Sequence, residues 1–175
     1  IGYARNKFGA YQKVLRILSD QYLEQPSEQL IAEIFKIIER AKAKAFFENL
    51  GERRGVRQVG GPAADIGLAR AALADERSLI LEYYLAEDRS YLVSVSSNSL
   101  HLAILPNRHE LARSLRGFLK MLPDRAQPRR HAFGAIERIT NTLIPQPLAR
   151  EMSGFDRLVV LPDGILNYLP FEALG

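Results

Sequence analysis

The stretch Asp156-Arg-Leu-Val-Val-Leu-Pro-Asp-Gly-Ile-Leu-Asn-Tyr-Leu-Pro-Phe-Glu-Ala-Leu-Gly175 decides the reading of the fold. Arg157–Leu161 is a short run of branched apolar residues, the pattern of a strand buried on both faces. Pro162, Asp163 and Gly164 stop it with a turn, because Pro fixes φ and Gly tolerates positive φ. A second apolar stretch then runs into Pro170, Phe171, Glu172, Ala173 and Leu174. A buried parallel strand cannot be the edge of a finished domain, so more sheet is expected to follow. A start at Ile1 rather than Met fits the same expectation of an excised piece.

Upstream of this strand the hydrophobic period changes twice. Phe8, Tyr11, Val14, Leu15, Leu18 and Tyr22 fall at helical spacings, as do Ile31, Ile34, Phe35, Ile38, Ala41, Ala45 and Phe46. Pro26 and Ser27 punctuate the two, with Ser27 placed to cap the second helix. Residues 1–50 therefore read as a helical hairpin, the unit of helical repeat arrays. Residues 51–64, with four glycines and three arginines, read as a basic linker. They contain neither G-x-G-x-x-G nor a Walker spacing, which argues against a phosphate-cradling loop. Residues 65–175 then begin with a short Ala-rich helix capped by Asp65.

Residues 79–85, 91–95 and 100–105 are rich in Leu, Ile, Val and Tyr and have short connections, which predicts an antiparallel meander. Leu92 and Ser94 alternate with Val93 and Val95, which predicts one covered face and one more polar face. Two amphipathic helices are expected over 109–122 and 129–144, the second ended by Pro145 and Pro147. The fold class is α/β: a helical hairpin, an antiparallel meander and a buried parallel strand.

Composition excludes several functions. At 47% hydrophobic and 25% charged, the 175-residue chain reads as an ordinary globular protein. It has no cysteine, so disulfides, thiolate metal ligands and a cysteine nucleophile are absent from this sequence. No G-x-S-x-G elbow is present, and no His pair lies at i, i+4. His101, His109 and His131 read as structural or solvent-facing, since a histidine becomes catalytic only beside placed partners. Neither a metal nor a cofactor site is expected, and no targeting or membrane-spanning segment is visible. Cytoplasmic placement is the resulting expectation.

Residues 107–131 hold seven basic residues against two acidic ones, an excess larger than the whole chain's +4. Such a patch serves an anionic partner or is simply a solvated helix face. Phe118 is the only aromatic residue among those charges, so a stacking platform for single-stranded nucleic acid is disfavoured.

The residues from Leu158 through Pro162-Asp163-Gly164 to Pro170-Phe171-Glu172-Ala173-Leu174 resemble the opening motif of the CHAT family, caspase-like proteins associated with TPR arrays. Leu81-Glu82-Tyr83-Tyr84, followed by Glu87-Asp88-Arg89-Ser90-Tyr91, resembles that family's leucine-glutamate-tyrosine strand and its acidic turn. Residues 38–45 resemble the last helix of the array that commonly precedes it. The resemblance implies the incomplete N-terminal half of a caspase-like domain within a cysteine peptidase. The His and Cys of its dyad would lie beyond Gly175. It implies that these residues alone do not cleave peptides, that the partners are proteins, and that they couple an array to a catalytic half. A non-catalytic scaffold with the same fold is the alternative, and a nucleic-acid-binding domain a further one. For Asp163 two readings stand: a residue bordering a substrate cleft, or a cap on the turn to Gly164.

Overall fold

The computed structural model describes the backbone of residues 2–54, 65–73, 77–121 and 129–174. The side chains of residues 2–8, 47–54, 120–121, 129–133 and 173 are not described. The helices are α1 (Gly2–Glu24), α2 (Glu28–Arg54), α3 (Ile66–Ala72), α4 (Arg108–Met121), α5 (Arg129–Leu143) and α6 (Gln146–Met152). The strands are β1 (Ser78–Tyr84), β2 (Ser90–Val95), β3 (Leu100–Leu105) and β4 (Arg157–Leu161). Two 3₁₀ turns, Gly164–Tyr168 and Phe171–Leu174, follow β4.

The chain is α/β, with one mixed sheet in the order β3-β2-β1-β4. β1 pairs antiparallel with β2, and β2 with β3, which is the expected meander. β4 pairs parallel with β1, from Ser78 opposite Arg157 to Glu82 opposite Leu161. Helices cover both sides. On one side Leu79, Leu81, Tyr83 and Leu92 pack with Leu111, Leu115 and Phe118 of α4, Ile139 and Leu143 of α5, and Leu148 of α6. On the other, Ile80, Tyr84, Tyr91, Val93 and Val95 pack with Leu15 of α1 and Ile31, Ile34, Phe35 and Ile38 of α2.

Local signals explain most boundaries. The Leu30 N–H donates to Ser27 Oγ (3.3 Å) at the start of α2, and the Leu68 N–H donates to Asp65 Oδ1 (2.9 Å) at the start of α3. Each side chain satisfies a donor that helix geometry leaves without an intrahelical partner. α2 continues through Gly51 to Arg54, and residues 55–64, the rest of the expected linker, lie outside the described residues.

Three expectations need correction. β4 is not buried: Leu158, Val159 and Leu161 are 43%, 36% and 41% exposed, because this strand is the sheet's outer member. β2 has no polar outer face, since both sides of the sheet are covered and all six of its residues are buried. Pro147 does not merely end a helix. It lies in the first turn of α6, where its missing N–H leaves no bond unmade.

Candidate functional site

A cleft of about 920 Å³ opens where β1 and β4 end together. Open α/β sheets bind ligands at such carboxyl ends. One wall is the helical arm, with Gln12, Ala41 and Lys42. The opposite wall is α4, with Arg108, His109 and Arg116, and the floor is Tyr84, Leu85 and the turn at Asp163 and Gly164.

The turn is held by its own residues. Gly164 has φ +52°, the left-handed region that favours glycine, and an added Cβ there would meet Leu85 Cδ1 at 3.3 Å. Asp163 does not cap the 3₁₀ turn that follows it. Instead its Oδ2 accepts the Leu85 N–H at 2.7 Å, which fastens the end of β4 to the end of β1. The carboxylate thus has a bracing role that neither sequence reading contained, and it also borders the cleft. Pro162 and Pro170 are half-buried beside these turns. The Phe171 ring lies 5.7 Å from that of Tyr83, tilted by 39°, and Glu172 is exposed, so it needs no buried partner.

The rim pairs its own charges. Arg108 Nη1 lies 3.1 Å from Glu87 Oε1, and His109 Nε2 lies 2.7 Å from Glu87 Oε2. The bond to His109, with help from Arg108, holds the Glu87 carboxyl below the usual carboxylate range. His101 belongs elsewhere: its Nε2 is 3.1 Å from Glu151 Oε2, tying β3 to α6. The side chain of His131 lies outside the described residues.

The residue that the sequence did not reveal as special is Glu82. It projects from the middle of β1 toward the arm, only 1% exposed, and receives the Lys42 ammonium on Oε1. Its Oε2 has no hydrogen-bond partner among the described residues. Burial pushes its pKa up to about 7, opposed by Lys42 and reinforced by the charges of Glu39 and Asp163. Burial likewise pushes the neighbouring Tyr84 phenol up to about 12. A lone acid inside Leu79-Ile-Leu-Glu-Tyr-Tyr84 was the available signal, since an inward position on a covered strand demands a partner. That partner is 40 residues away in sequence, on another layer.

Among the described residues no group of three or more His, Cys, Asp or Glu side chains is placed to hold a metal ion. No described helix is long and apolar enough to cross a membrane. Comparison with protein-family models, with curated proteins and with solved structures finds no match to this chain.

Proposed function

We propose that this chain is the N-terminal portion of a caspase-like CHAT domain together with the last helix pair of a TPR-like array. In this reading the parent is a cysteine peptidase whose His and Cys are supplied by residues C-terminal to Gly175. The observation that carries the reading is β4. It ends in the Pro162-Asp163-Gly164 turn, runs parallel to β1 as the outer strand of the sheet, and leaves Leu158, Val159 and Leu161 exposed on its two faces. An outer strand with that surface is suited to receive a further strand, and left open it invites unwanted pairing. Exposed Val14 and Ile17 on α1 offer the corresponding surface for a preceding repeat.

The function of these residues is then mechanical. Arg89 reaches Asp20 at 2.7 Å and Lys42 reaches Glu82, so side-chain ties run from both arm helices to the sheet that carries the turn. Movement of an array would reach the carboxyl ends of the strands through these ties. Peptide mapping of the source protein past Gly175, followed by labelling with a thiol-reactive peptide probe, tests the proposal. A His and a Cys after successive strands, with labelling lost on Cys→Ala, is the expected result. A chain lacking either residue overturns the peptidase and leaves a scaffold of the same fold.

A further inference from the structure

Among the described residues Glu82 is the only charged side chain that is buried, and it lies between two layers rather than inside one. The groups around it come from every neighbouring element. Lys42 and Glu39 approach from α2 and Asp163 from the turn after β4. Tyr84 stands on the same strand, and the charges and phenols of Arg108, Tyr91 and Tyr11 surround Tyr84 in turn. One ammonium therefore serves Glu82 against two other carboxylates, and it comes from a side chain that is itself at the cleft wall. A carboxylate with one paired oxygen and one bare buried oxygen is under-solvated, and hydration would relieve it. Lys42 lines the cleft and is partly exposed, so one member of the pair already borders open space.

We propose that Glu82 is a proton-linked release for the helical arm. As a carboxylate it favours lifting of α2 from β1 and opening of the cleft beside residues 162–164, and as a neutral acid it seats the arm. Lys42 sets the balance by stabilising the charged form in place. With the arm seated, Glu82 keeps its proton up to about pH 7, whereas a hydrated glutamate releases it near 4.5. The seated state thus binds the proton more tightly, so opening increases as pH rises through this window and levels off above it. This inference does not depend on the caspase-like assignment, because every group in it belongs to the described residues.

Native-state hydrogen exchange of the protein between pH 5 and pH 8, corrected for the intrinsic rate, reads the release directly. The expected result is that protection of the amides around Ile38 and Ala41, and of Leu85, falls on the order of a hundredfold across the window. Protection of β2 and β3 should not fall with it. Glu82→Gln should abolish the fall and keep the arm seated, and Lys42→Met should displace the fall to higher pH. Protection in α2 that follows β2 and β3 at every pH, or a Glu82→Gln profile like that of the parent, overturns the proposal.

Discussion

The two faces of β1 are built from alternate residues of one seven-residue strand, yet they hold different chemistry. Leu79, Leu81 and Tyr83 look toward α4, α5 and α6 into an apolar cluster, where the Tyr83 hydroxyl donates to the Leu143 carbonyl at 3.1 Å. Ile80, Glu82 and Tyr84 look toward the arm, where the apolar surface is interrupted by a buried carboxylate. The comparison separates two tasks. Burial on the first face supplies stability at roughly 1.5–3 kcal/mol for each large side chain. The second face also buries large apolar groups, but it spends part of that gain on a charge whose state depends on the solution. One face fixes the sheet, and the other makes the attachment of the arm adjustable.

The largest test of this contrast is Leu81→Ala, which deletes a fully buried side chain from the apolar face. It should cost about 2–5 kcal/mol in denaturant unfolding, equally at pH 5 and pH 8. A strongly pH-dependent loss would break the division between the faces.

Glu82→Gln should act in the opposite sense. Because burial raises the pKa of Glu82 from 4.5 to about 7, the folded state binds its proton more tightly than the unfolded chain does. Its stabilising contribution is complete below pH 4.5 and is lost as pH rises through 7, a change on the order of 3 kcal/mol. The difference in unfolding free energy between parent and variant should move by that amount between pH 4 and pH 8 and stay flat above. Parallel pH profiles would show that Glu82 is already well solvated.

Asp163→Ala gives the smallest effect. Removing the acceptor of the Leu85 N–H should destabilise the protein by about 1–2 kcal/mol and speed exchange of that amide selectively. Asp163→Asn, which keeps an acceptor oxygen, should restore most of the protection. Failure of Asn to do so would shift the weight from the hydrogen bond to the charge.

The meander was legible in the sequence because 79–85, 91–95 and 100–105 combine β-branched and aromatic residues with short polar turns. The helix starts at Ser27 and Asp65 were legible because capping is local chemistry. Burial was not, because it depends on neighbours. The apolar run of β4 fits a buried strand, and only its position outside β1 exposes it. Ser94 in β2 marks a polar face until α-helices are found on both sides of the sheet. Pro147 was ambiguous for a different reason, since proline both ends helices and suits their first turn. At the candidate site, the turn residues Asp163 and Gly164 were visible, but the bond from Leu85 joins positions 78 residues apart. The Lys42–Glu82 pair was hidden in the same way: each member looked ordinary until the layers were stacked.

The helical hairpin has a consequence for how such a chain could be cut or recombined. Leu15, Ile31, Ile34, Phe35 and Ile38 form one wall of the cluster that covers Ile80, Tyr84, Tyr91, Val93 and Val95. A chain begun at Asp65 would turn that row of side chains out to water, as an apolar patch of the kind that drives aggregation. The hairpin is therefore not an exchangeable cassette but half of a shared interior. Any exchange of segments would have to keep α1 and α2 together with the sheet they cover.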